Sequence, residues 1–223
     1  MDDRFIRRLN NNFVNLYLVI DPDGLTLIDT GLAKSGPKLV LKAIAELGRQ
    51  PSDLKRILIT HADPDHTGGL AELQAKTGAK AYASAIEAKA IEAGTTSREI
   101  QGNAITKMLF GVMGKVMMKL SPARVDEIIM HGQVLPVLGG LQVIATPGHT
   151  PGHLSFYAPA HHILVAGDSL NASSGTLKFT PAPVHWDYEK GCASAKLEAA
   201  LGATAVCCGH GNVIEGTPVS FPI

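Results

Sequence analysis

The run Ile57-Leu-Ile-Thr-His61-Ala-Asp63-Pro-Asp65-His66-Thr-Gly-Gly69 constrains this chain more than any other feature. An apolar, strand-like stretch passes straight into four potential metal ligands within six residues. The two glycines behind them let the backbone turn tightly into a following helix. Imidazole and carboxylate together suit zinc, iron or manganese, whereas magnesium and calcium prefer a shell of oxygens. Three later stretches repeat the arrangement: residues 141–145 run into Thr146-Pro-Gly-His149, 163–166 into Gly167-Asp168, and 205–208 into Gly209-His210-Gly211. A His or Asp just past each strand, with glycine beside it, can converge on one cleft only if the strand ends share an edge.

The rest of the pattern supplies such strands. Further β-rich runs lie at 13–20, 25–28, 56–60, 79–83 and 154–157, and helical stretches at 36–47, 69–76, 86–93 and 187–201. The mixture reads as α/β or α+β. No linker rich in Ser, Gly or Pro divides it, so residues 1–223 are expected to form one domain. Twenty Lys+Arg balance twenty Asp+Glu, which leaves no basic surplus for nucleic acid. No window approaches the ~18 apolar residues of a membrane span and no leader pattern opens the chain, so a cytoplasmic protein is expected. Cys192, Cys207 and Cys208 are too few and too close to make a disulfide framework, and Cys207 and Cys208 read as buried packing thiols.

One segment breaks the rhythm. Ile105, Met108, Leu109, Val112, Met113, Val116, Met117 and Leu120 follow helical spacing, and five of the six methionines fall between 108 and 130. This predicts a Met-rich helical insertion at about 95–130. It could complete the core, cover a substrate as a lid, or join two copies of the chain in a homodimer.

Through His61-Ala-Asp63-Pro-Asp65-His66, Pro147-Gly-His149-Thr-Pro-Gly-His153, Ala166-Gly-Asp168 and Gly209-His210-Gly211, with Asp29-Thr-Gly31 after an early strand, the chain resembles the metallo-β-lactamase superfamily over essentially its whole length. The resemblance implies an α+β fold, a four-layer αββα sandwich of two mixed sheets flanked by helices. It also implies a centre for two divalent transition-metal ions, zinc first, with iron or manganese as alternatives. By motif position the first ion takes His61, Asp63 and His149, the second takes Asp65, His66 and His210, and Asp168 bridges them. His153 is expected to orient or pack, and Asp29 to fix a turn or support a ligand. His185 and Trp186 could line a substrate mouth or pack their loop.

Asp63 departs from the pattern, which usually has histidine there. Two divalent ions, three carboxylates and one bridging hydroxide sum to a neutral shell, and that predicts a preference for neutral substrates. The resemblance implies a hydrolase whose two-metal-bridged hydroxide attacks the carbonyl of a neutral ester, lactone or thioester, a small molecule. Asp168 would hold the metal pair, and Asp65 would orient the hydroxide or pass a proton. An iron-dependent oxidative enzyme of the same fold is the alternative, and a non-catalytic binding member is disfavoured because all seven ligand positions hold competent residues. The chain ends 13 residues after His210, so the C-terminal helices of glyoxalase II-like thioesterases are not expected.

Overall fold

A computed structural model describes residues 5–11, 13–98, 120–216, 219 and 221. The first sheet holds β1 (Ile6–Asn10), β2 (Asn15–Asp21), β3 (Gly24–Ile28), β4 (Leu54–Leu58), β5 (Lys80–Ala83) and β6 (Glu127–Ile128), in that order. It is antiparallel from β1 to β3 and parallel from β3 to β6. Parallel neighbours need crossovers. These come from α1 (Ser35–Glu46) between β3 and β4, and from α2 (Pro64–Thr67) with α3 (Leu70–Thr77) between β4 and β5. Helix α4 (Ala85–Ala93) follows β5.

The second sheet contains β7 (Val134–Leu135), β8 (Leu141–Ala145), β9 (Leu154–Ala158) and β10 (Ile163–Gly167). A small antiparallel pair, β11 (Leu170–Asn171) and β12 (Lys178–Phe179), stands apart from it. Helix α5 (Tyr188–Ala199) then crosses to β13 (Ala205–Cys208) and β14 (Ile214–Glu215), giving the order β14-β13-β10-β9-β8-β7.

Period-2 side-chain alternation divides the interior into three layers. On β2, Leu16 and Leu18 face α1, α3 and α4, while Tyr17 and Val19 face the opposite sheet. Ile163 and Val165 of β10 meet that inter-sheet layer, and Leu164 and Ala166 turn outward to α5. Cys207 and Cys208 split between the same two layers and are fully buried, so both act as small packing residues. Each fully buried Leu or Ile contributes ~1.5–3 kcal/mol relative to exposure. The result is the α+β, four-layer αββα sandwich.

Helices fall within a few residues of their predicted spans, but β1 is an addition. Ile-Arg-Arg-Leu-Asn carries two charges in five residues and offers little strand signal, yet in the sheet beside β2 Ile6 and Leu9 are buried. The Met-rich stripe at 105–117 lies outside the described residues. Around it, 95–98 and 120–126 are non-helical and 127–128 form β6, so the described ends of the 95–130 insertion carry no helix. Among the described residues no helix is long and apolar enough to cross a membrane.

Strand direction decides where the ligands go. Strand β13 is parallel to β10, β9 is antiparallel to β10, and β8 is antiparallel to β9. Hence β8, β10 and β13 all point the same way and end on one edge. The loop after β4 joins them there, where the Leu154 N–H donates to Thr60 O at 2.9 Å.

Candidate metal centre

His61 and Asp63 lie in the loop after β4, and Asp65 and His66 in α2. His149, Asp168 and His210 follow β8, β10 and β13. The edge brings all seven together. Three groups have ligand atoms within 4.8 Å of one another: His61/Asp63/His149, Asp65/His66/His210 and His61/His66/Asp168. In the first, Asp63 Oδ2 lies 3.2 Å from His149 Nε2 and 3.7 Å from His61 Nε2. In the second, Asp65 Oδ2 lies 3.4 Å from His210 Nε2 and 3.8 Å from His66 Nε2. Asp168 stands between them, 3.5 Å from His66 Nε2, 3.2 Å from His210 Nε2 and 3.7 Å from His149 Nε2.

The surrounding contacts aim the rings. Asp29, at φ 60° just after β3, accepts from the Thr60 N–H at 2.9 Å, from the Thr60 hydroxyl at 2.8 Å and from His66 Nδ1 at 2.8 Å. Having given its proton to Asp29, the Thr60 hydroxyl accepts from His61 Nδ1 at 3.0 Å. His210 Nδ1 donates to Phe13 O at 2.8 Å. In each of the three histidines Nδ1 is committed and Nε2 faces the cluster, the orientation that outer partners impose on metal-ligating imidazoles. Asp29 therefore supports a ligand, and its short polar side chain tolerates the left-handed backbone that puts it there.

His153 behaves differently. Its Nε2 accepts the Asp168 N–H at 3.1 Å, so the ring proton sits on Nδ1 and is given to the Thr146 hydroxyl at 2.8 Å. Burial, with His61 and His149 close by, lowers its pKa well below the usual value and keeps it neutral. It orients the Asp168 loop. His185, also buried, is held through Nε2 to Thr180 O at 2.9 Å.

Charge runs through the cluster unevenly. Burial alone would lower the pKa of His66, but the carboxylates of Asp168, Asp29 and Asp65 outweigh it and raise it to about 10. His210, likewise opposed by burial, is raised to about 11 by Asp168 and Asp65. His149 goes the other way, to about 4, chiefly through burial. Burial would raise Asp63, yet His149, His61 and Arg98 hold it well below the usual carboxylate range.

Arg98 is a residue the motifs do not reveal. Its Nη2 lies 2.5 Å from Asp63 Oδ2, and Nη1 donates to Val184 O. The charge sum of the seven ligands is unchanged by it, but the guanidinium sets a positive charge beside Asp63, which weakens the reason to expect neutral substrates. Glu87 is a second such residue. Its Ser84-Ala-Ile-Glu pattern has the form of a capping box, and the Glu87 N–H does donate to Ser84 Oγ. The Glu87 carboxylate, however, turns away to the ligand loops. No sequence periodicity points to either role.

The residues fit resident cations. His61 Nε2, Asp63 Oδ1, His66 Nε2 and Asp168 Oδ1 are all buried without a hydrogen-bond partner, a cost a fold accepts where an ion satisfies them. Mixed nitrogen and oxygen donors of this kind match borderline transition metals.

Two mixed sheets between helices, with a His/Asp cluster where the strands end, define a metal-binding αββα protein. The chain belongs to the metallo-beta-lactamase superfamily, whose sequence profile matches residues 9–210. It is 32% identical over 211 residues to the uncharacterized protein YobT of Bacillus subtilis (strain 168), covering 91% of this chain and 84% of that protein. It is 30% identical over 200 residues to a hydroxyacylglutathione hydrolase of Albidiferax ferrireducens, covering 87% of this chain and 61% of that protein's length. Among solved structures, a metallo-beta-lactamase family protein of Thermus thermophilus superposes with a TM-score of 0.70 at 26% identity, covering 96% of this chain and 75% of that one.

Proposed function

We propose that this protein is a metal-dependent hydrolase of a small carbonyl substrate, an ester, lactone or thioester. The observation that carries the reading is the convergence of seven His and Asp side chains with four buried, unpartnered ligand atoms among them. His61, Asp63 and His149 would hold one divalent cation, Asp65, His66 and His210 the other, and Asp168 would contact both. Zinc is the first choice, with iron or manganese as alternatives. Such a pair supplies an acidified water and a Lewis acid for the carbonyl oxygen. The protein's own residues do the rest. Asp29, Thr60 and Phe13 O fix the imidazoles, and His153 fixes the Asp168 backbone. Asp65, whose side chain is 18% exposed, would orient the water or carry its proton at the carboxylate. The hydroxyacylglutathione hydrolase relative is named for removing an acyl group from glutathione, which supports a thioester among the candidate substrates.

The test is a panel of small ester, lactone, thioester, phosphodiester and β-lactam substrates, offered to metal-loaded and chelator-treated protein. Chelator-sensitive cleavage of carbonyl substrates, lost in Asp168→Ala, is the expected result. A fully loaded protein that cleaves none of the carbonyl substrates, or that consumes oxygen with a sulfur substrate instead, would overturn it.

A further inference from the structure

Glu87 has no assigned part in the centre, yet it is fully buried in the first turn of α4. Its Oε2 accepts the Ala62 N–H at 2.8 Å. Its Oε1 accepts the Gly152 N–H at 3.0 Å, the Thr150 hydroxyl at 2.8 Å and the Ser97 hydroxyl at 2.8 Å. The chain positions of these donors are telling. Ala62 lies between His61 and Asp63, Thr150 directly follows His149, and Ser97 directly precedes Arg98, whose guanidinium holds Asp63. One carboxylate is thus the junction of three loops that carry His61, Asp63, His149 and Arg98. The fit is close: a Cβ on Gly152 would stand 2.6 Å from Ser84 Oγ and 2.7 Å from Glu87 Oε1.

Apart from Asp29, which serves His66 directly and His61 through Thr60, the other half of the centre has its own supports. His66 is held by Asp29, His210 by Phe13 O and the Asp168 backbone by His153, and none of these contacts involves Glu87. We infer that Glu87 is a positioning residue for one half of the centre only, setting the spacing of His61, Asp63 and His149 and leaving Asp65, His66 and His210 untouched. This rests on the two-cation reading above.

The chemistry of the junction makes the inference testable. Four donors converge on two carboxylate oxygens. A glutamine keeps the shape, but one end becomes an N–H donor that must face either the Ala62 N–H or the donors at Oε1. The loop on the losing side has to move. Metal geometry tolerates only ~0.2 Å, and loss of an outer partner typically weakens a site 10–100-fold.

The experiment titrates the metal-free full-length chain with Zn(II), reads stoichiometry and affinities by equilibrium dialysis, and repeats the titration with Co(II) to follow the visible spectrum. Wild type should bind two cations. In Glu87→Gln one affinity should fall about 10–100-fold while the other stays within about twofold. In an Asp65→Asn background, which disables the other half, Glu87→Gln should weaken the one remaining cation. Thr150→Val removes one neutral donor, keeps the carboxylate and serves if Glu87→Gln folds poorly; it should weaken the same half by a smaller factor. Equal weakening of both cations, or unchanged affinities in Glu87→Gln and Thr150→Val, would overturn the inference. A wild-type chain that binds fewer than two cations would instead refute the two-cation reading.

Discussion

Glu198, on α5, is fully buried beneath the second sheet. Its Oε1 receives the hydroxyls of Ser155 and Ser169 at 2.7 Å each, and its Oε2 has no partner. Burial raises its pKa, the two serines lower it, and the balance lies at about 7 against an ordinary value of 4.5. Between those two values the folded chain keeps a proton that the unfolded chain has lost. The neutral acid therefore adds stability that is fully present below about pH 4.5 and disappears as pH rises through about 7. At ~1.4 kcal/mol per pKa unit the whole effect is about 3 kcal/mol, of which about 2 to 3 kcal/mol is lost between pH 5 and pH 8. Glu198→Gln removes the titration and adds a pH-independent offset, because its amide must fit where Oε2 stands. Urea denaturation of both proteins from pH 5 to pH 8, with chelator present throughout, isolates the term as a difference. The stability of the variant relative to wild type should climb by about 2 to 3 kcal/mol across that range. Two parallel stability curves would refute the reasoning, since a carboxyl already ionised at pH 5 gives no slope.

Three other outcomes are expected. Gly209→Ala places a methyl inside the contact radius of Asp168 Oδ1 and 2.8 Å from His66 Cε1, so both cations should be lost together by elemental analysis; full occupancy would mean the cleft relaxes freely. Asp29→Asn keeps the shape but trades an acceptor for a donor where His66 and Thr60 donate, and total metal affinity should fall about 10–100-fold; calorimetric titration equal to wild type would remove Asp29 from its supporting role. Arg98→Gln should weaken anionic inhibitors about tenfold relative to neutral ones, because a unit charge ~8 Å away acts with ~2 kcal/mol at an effective dielectric of ~20 before the opposing Asp63 is counted. Inhibition constants with unchanged charge discrimination would show that the guanidinium is silent toward the cleft.

The local sequence determined what can be read over a few residues. Apolar runs and their turn residues located most strands of the two sheets, and among the described residues the four helices of eight residues or more lie near their predicted spans. His61, Asp63, Asp65, His66, His149, Asp168 and His210 stand out as candidates because they follow strand-like runs beside glycine or proline, while their division between two ions comes only from the family resemblance. Tertiary structure decided the remainder. Ile6–Asn10 became a strand only because β2 was there to bury Ile6 and Leu9. The pull of Phe13 O on His210 spans 197 residues, that of Glu87 on Gly152 spans 65, and that of Arg98 on Asp63 spans 35. A periodic pattern records which face of an element is buried, not which distant loop a carboxylate or guanidinium will reach. Those partners are set by strand order and direction, which bring β4, β8, β10 and β13 to one edge and close the loops around it.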